Sequence, residues 1–290
     1  MNDELTAAQK HIRRSELTNK IVRYTILTIG AFIMIYPILW MVGASFKSNN
    51  EIFTEIGFIP KHLNFKAYVQ GWNPGSGITF ATYFINTFKI VIPKVVFTVI
   101  SSVISAYGFA RFEFPGKKIL FSALMMTMFL PTIVTLIPMY LLFKNLGMLD
   151  TYWPLISPTI FATQAFFVFQ LIQFLRSIPT SLDEAATMDG ANSFQILYKV
   201  ILPVIKPAII TCVIFQFVWS INDFMSPLIY LSTNEKFPVA LALQMNMDTT
   251  GTVNYAQLMS MSVLAILPSI IVFFAAQKYF VDGVATTGIK

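Results

Sequence analysis

The stretch S-L-D-E-A-A-T-M-D-G-A-N-S-F-Q-I-L-Y-K-V-I-L-P-V-I-K-P, residues 181–207, is a polar island between two long apolar runs. It reads as helix, turn, helix. Ser181 and Glu184 have the S-x-x-E spacing of a capping box, in which side chains and backbone at a helix start satisfy each other's free groups. Gly190 can adopt the left-handed conformation that ends such a helix. Asn192 and Gln195 repeat the capping arrangement for a second helix. Pro203 and Pro207 interrupt that helix, because proline has no N–H to donate.

The apolar runs on either side of the island set the fold class. The chain has 290 residues, of which 56% are hydrophobic and 12% charged, with mean hydropathy +0.66. A soluble domain carries about 25% charged residues. This composition therefore belongs to an integral membrane protein and leaves no room for a separate soluble domain. A helix crosses the bilayer with roughly 20 apolar residues. Six segments qualify, at about 24–45, 85–110, 119–143, 153–175, 207–231 and 257–280. Barrel strands would instead alternate in segments of about 10 residues, so the expected fold is all-α with six transmembrane helices. The first run exceeds the roughly 7–15 residues of a signal-peptide core and is read as an uncleaved span after a basic segment, 1–23. A short tail, 281–290, follows the last span. Lys89 and Lys94 fall early in the second span and are expected to snorkel to the outer interface.

Lysine and arginine orient the spans. One side collects 13 of them: Lys10, Arg13, Arg14, Lys20, Arg23, Arg111, Lys117, Lys118, Arg176, Lys199, Lys206, Lys278 and Lys290. The other side has 5, Lys47, Lys61, Lys66, Lys144 and Lys236. The positive-inside rule puts both termini and the loop 176–206 in the cytosol. Two short helices on a cytosolic face form a knob suited to a cleft in a soluble partner. The outer loops, 47–84, 144–152 and 232–256, are the surfaces open to an extracytoplasmic partner.

Several classes of chemistry are excluded. The one cysteine, Cys212, permits no internal disulfide. His11 and His62 are far apart in sequence and make no metal-ligand pattern. The one Gly-Lys pair, Gly116 and Lys117, has Arg111 where the first glycine of a phosphate-binding loop belongs. No nucleophile elbow, zinc-protease pattern or CxxC motif is present. The net charge of +6 fits cytosolic cations near anionic lipid and does not require nucleic acid. The chain is therefore expected not to be an enzyme, and to bind no cofactor of its own.

The island carries a specific resemblance. Glu184, Ala185, Ala186, Gly190, Leu202 and Pro203 are similar to the E-A-A-x3-G-x9-I-x-L-P loop of binding-protein-dependent ABC importer permeases, with Val200 at the usual isoleucine. The runs F-A-R-F-E-F-P-G-K-K (109–118), T-L-I-P-M-Y (135–140), L-D-T-Y-W (149–153), W-S-I-N-D-F (219–224) and Q-K-Y-F-V-D-G (277–283) resemble the second, smaller permease of the carbohydrate (maltose-type) subfamily. The likeness covers roughly residues 20–290.

The resemblance implies a subunit in the cell (inner) membrane that forms half of a translocation path. Its implied partners are a homologous permease, two ATP-binding subunits holding ATP and Mg, an extracytoplasmic solute-binding protein and a sugar, an oligosaccharide being the first expectation. It also implies that Glu184, Ala185, Ala186, Asp189, Gly190, Leu202 and Pro203 form the ATPase-coupling surface, and that the tail 285–290 reaches between the ATPases. By local pattern alone, the loop could equally be a capped surface helix and the tail disordered.

Within the fifth span, Gln216, Trp219, Asn222 and Asp223 fall on one helical face. They are candidates for the substrate path, with Trp219 stacking on a sugar and the polar groups bonding its hydroxyls; the other reading is that this face packs on a neighbouring subunit. Gln164, Gln170, Gln173, Thr127, Thr132 and Thr135 read as polar ties between helices. Two alternatives remain: an importer of the same architecture for another solute such as glycerol phosphate, and an ATP-independent secondary transporter.

Overall fold

The computed structural model describes residues 7–55, 57–75, 77–248 and 254–285. In chain order the helices are α1 (Ala7–Ala44), α2 (Asn49–Thr54), α3 (Lys66–Trp72), α4 (Phe80–Arg111), α5 (Lys117–Met128), α6 (Thr132–Asn145), α7 (Trp153–Ile156), α8 (Ala165–Arg176), α9 (Ser181–Met188), α10 (Ser193–Ile196), α11 (Leu202–Val204), α12 (Lys206–Ile221), α13 (Met225–Tyr230), α14 (Val239–Asp248) and α15 (Tyr255–Ala285). No strand occurs among the described residues, so the all-α expectation holds. Four helical segments are long and apolar enough to cross a membrane, or up to six if each of two bent pairs counts as one span. The tail beyond Ala285 and most of the 247–252 loop lie outside the described residues.

Two compact units divide the chain. The first contains the described residues up to Gly71 together with 254–263. Along α1 the segment Ser15–Ala44 is strongly apolar and almost wholly exposed, as suits a helix surrounded by lipid. Helix α1 is continuous from Ala7 to Ala44, so the described part of the basic N-terminal segment and the first span form one element. After α1 the chain is locally tied. Ser48 and Glu51 close a capping box on α2, Ser45 Oγ shares a hydrogen bond with the Tyr68 hydroxyl at 2.8 Å, and the buried Lys47 ammonium donates to the carbonyls of Glu55 and Gly57. Asn49 accepts from the Ala256 N–H at 2.9 Å.

The second unit, 72–253 with 264–285 among the described residues, contains the helical core. The C-terminal half of α4, α8, the 178–205 loop and the start of α12 share one apolar cluster, with Ala106, Phe167, Leu171, Leu175, Ile201, Ile205 and Cys212 almost fully buried. The loop is thus packed into the same cluster as the helices, by close contact of buried side chains.

Three spans differ from the regular helices expected. The third is α5 and α6, bent by 102° around Pro131. The fourth opens with α7 and a 3-10 turn, Ser157–Phe161, and then passes Ala162 in the left-handed region before α8. The fifth stops at Ile221, breaks, and resumes as α13. Prolines lie at each start or bend, where the lost N–H does least harm. Thr127, exposed, and Thr135, half-buried, bond carbonyls of their own helices, so these bonds do not tie helices together. Gln170 does make a tie, accepting a long 3.7 Å contact from the Cys212 thiol on α12.

A polar clamp joins Asp150 to the 232–236 segment. Asp150 has φ 56°, a left-handed conformation that aspartate tolerates better than most residues. Its carboxylate accepts from the N–H groups of Ser232 and Thr233, both at 3.0 Å, from the Thr233 hydroxyl at 2.5 Å and from Lys236 at 2.6 Å. The Lys236 ammonium, then the Thr233 hydroxyl and the backbone donors, hold the Asp150 carboxyl well below its ordinary value. A depressed carboxyl contributes stability that is present above the ordinary aspartate pKa of about 3.9 and lost as pH falls toward the native value. The melting temperature of the detergent-solubilised protein should therefore fall more steeply below about pH 4 than that of Asp150→Asn. Parallel acid profiles for the two proteins would show that the clamp adds nothing to stability.

Candidate functional site

The loop 177–205 is built in three steps. Thr180 is the N-cap of helix α9, and no side chain caps the helix. The capping box expected of Ser181 and Glu184 does not form, because Ser181 is already the first helical residue. Gly190 ends the helix with φ 81°, as the sequence requires. Asn192 and Gln195 do close a capping box, with reciprocal bonds of 2.9 Å. After α10 the chain widens to a π-helical turn, Leu197–Ile201, before α11. A π turn separates the i−4 carbonyl from a proline ring, which relieves the clash Pro203 would otherwise cause. Pro207 sits just past the 78° bend that separates this segment from α12.

The loop has two faces. Ile178, Ile196, Leu197, Ile201 and Ile205 point into the core. The other face shows Glu184, Ala185, Asp189, Gly190 and Pro203 exposed, with Ala186 and Leu202 half-buried. Met188 and Phe194 stand 89% and 75% exposed beside them. These two apolar side chains stand exposed on a loop whose other face is packed against the core.

What fixes the loop polar-side was not read from the sequence. Arg111, the last residue of α4, forms an ion pair with Asp183 of α9 at 3.0 Å and donates from Nη2 to the Ile178 carbonyl at 3.1 Å. Both partners are largely buried. One turn earlier, the Tyr107 hydroxyl donates to the Ser193 carbonyl at 3.3 Å. In the sequence Arg111 reads as one of the 13 cations of one side and as a mismatch to a phosphate-binding loop, with no partner indicated. Its place at the end of an apolar run, with an acidic helix start downstream, was the available signal.

The substrate-path candidates do not form one face. Gln216 is buried and donates to Ser220 Oγ at 3.0 Å. Trp219 is 45% exposed and packs on Phe166, Phe167 and Phe215, with the Phe167 ring centroid 5.1 Å away. Asn222 lies just past α12, where its side-chain amide donates to the Val218 carbonyl at 2.8 Å. Asp223 lies in the break. It receives the Ser226 N–H at 3.1 Å and pairs with Lys94 at 3.2 Å. The expectation of a shared helical face therefore fails, because the helix ends before two of its four members. Lys94 also departs from expectation. It is buried near the middle of α4 and paired, so it does not snorkel.

The family profile for "Binding-protein-dependent transport system inner membrane component" matches residues 98–286, which contain the whole loop. The chain belongs to this family. The resemblance carried by residues 184–203 is borne out, and this permease is a multi-pass inner-membrane transport component, not an enzyme. It is 32% identical over 263 residues to the arabinooligosaccharides transport system permease protein AraQ of Bacillus subtilis (strain 168), covering 90% of this chain and 92% of that one. It is 28% identical over 267 residues to the galactooligosaccharides transport system permease protein GanQ of the same organism, covering 92% and 94%. Its fold is similar to a chain in the crystal structure of a bacterial ABC transporter involved in import of the acidic polysaccharide alginate, with TM-score 0.80, 28% identity, and 92% and 98% of the two chains covered.

Proposed function

We propose that this permease is half of the path of an ATP-driven sugar importer, and that an oligosaccharide is its cargo. The observation that carries this reading is the loop: an exposed Glu184–Ala185 helix face with Met188 and Phe194 beside it, held from behind by Arg111. Such a knob suits a groove on a separate ATP-binding subunit, where ATP and Mg reside. The other partners are a homologous permease and an extracytoplasmic solute-binding protein, with both termini and the loop on the cytosolic side. Closure of the two ATPases moves the loops, the paired permeases switch from inward-facing to outward-facing, and hydrolysis resets them. The equilibrium between the two states is biased by ATPase at one end and by sugar at the other.

Two points favour a sugar over a phosphate ester such as glycerol phosphate. Relatives such as the arabinooligosaccharide and galactooligosaccharide permeases are named for oligosaccharides. A phosphate ligand calls for an available cation in the path, whereas Lys94 is paired with Asp223. Trp219 and Asn222, both exposed, remain the candidates for sugar contact, while the buried Gln216 bonds Ser220 of its own helix and Asp223 is taken up by Lys94 of α4.

The test is to tag the chain in its native host, purify it in mild detergent and identify what accompanies it. A second permease and an ATPase should co-purify, with hydrolysis stimulated by a binding protein plus sugar. Recovery of the chain alone, with ATP-independent flux in liposomes, would favour a secondary transporter instead.

A further inference from the structure

Helix α4 is continuous over 32 residues and passes Pro93 without a break, while the third and fifth spans are bent by 102° or interrupted. It is held by polar side chains at three levels. At its outer end, Tyr83 donates to the Asn234 side chain at 3.1 Å, Asn86 donates to the carbonyls of Glu235 and Phe237 at 2.6 and 3.2 Å, and Thr87 accepts from the Val239 N–H at 2.9 Å. At its centre, Lys94 holds Asp223 in the break after α12. At its inner end, Tyr107 and Arg111 hold the cytosolic loop. From Asn86 to Arg111 the helix rises about 38 Å. A bent pair of helices absorbs a displacement at its bend, whereas an unbroken helix carries it through.

We propose that α4 is the element that links the cytosolic loop to the outer 234–239 loop, and that Lys94 and Asp223 are positioning residues that make the broken fifth span follow it. Asp223 is suited to this. One carboxylate oxygen binds Lys94, and the other fixes the first turn of α13 through Ser226. Motion of α4 at the membrane's centre is thereby transferred to the chain beyond the break. The proposal rests on the reading of the loop as an ATPase-coupling surface.

The test uses the purified complex carrying Glu235→Cys as an exposed reporter in the outer loop. Native Cys212 is buried and will not compete. Labelling by a membrane-impermeant maleimide is timed without nucleotide and after trapping with Mg-ATP and vanadate. Trapping should change the labelling rate about fivefold or more, within the usual range of coupling between sites. Lys94→Met should remove that change while ATP hydrolysis continues, and the charge exchange Lys94→Asp with Asp223→Lys should restore it. Asn86→Ala, which buries no charge, should also remove it, and serves if the Lys94 variants do not assemble. A complex that hydrolyses ATP without any change at the reporter overturns the proposal alone. So does a full change in Lys94→Met or Asn86→Ala. Absence of any ATPase from the complex overturns the proposal and the coupling reading together.

Discussion

Replacing Arg111 with alanine is expected to leave the protein inserted and helical but to reduce uptake by about a hundredfold or more. The estimate follows from the pair's burial. Arg111 and Asp183 sit at 7% and 17% side-chain exposure, and removing one partner of a buried pair costs about 3–5 kcal/mol because the other charge is left unsolvated. At about 1.4 kcal/mol per factor of ten, the lower figure already gives two powers of ten. The loss should appear in the loop, since Arg111 also holds the Ile178 carbonyl that precedes α9. The measurement is retention of the ATPase by the purified variant together with sugar uptake in cells. Arg111→Ala combined with Asp183→Ala should recover part of the loss, because no orphan carboxylate remains. An assembled Arg111→Ala complex with normal uptake would show that the pair does not position the loop.

The second large effect belongs to Gly190. With φ 81°, its conformation is open to glycine and costs other L-residues about 1–2 kcal/mol, asparagine least. Proline, locked near −65°, fits neither the angle nor the hydrogen bond that the Gly190 N–H makes to the Thr187 carbonyl at 3.0 Å. Uptake should fall in the order Gly190→Asn, Gly190→Ala, Gly190→Pro, with the last near background while membrane insertion persists. No steric clash contributes, since a Cβ at Gly190 would meet open space. Glu184→Lys, on an exposed residue of the same turn of surface, should instead leave the loop folded and uncouple hydrolysis from uptake. Normal uptake in both Gly190→Pro and Glu184→Lys would end the coupling reading.

The sequence alone determined the class of solvent this chain folds in, the helical nature of its spans and the turn at Gly190. Those features depend on composition, on the length of apolar runs and on single residues with unusual backbone freedom. The capping box at Asn192 and Gln195 was equally legible, since its partners are three residues apart. The apparent box at Ser181 and Glu184 has the same spacing yet does not form, because Thr180 and the preceding turn at Ile178 begin the helix one residue early. Only tertiary structure could join Lys94 to Asp223, Arg111 to Asp183 and Asp150 to Lys236, across separations of 129, 72 and 86 residues. Periodicity within one span assigned Asn222 and Asp223 to a helical face, but the helix stops at Ile221. Local pattern reports what one helix could present. The end of that helix and the partner of each buried charge depend on neighbouring helices, which must satisfy every buried polar group where water is absent.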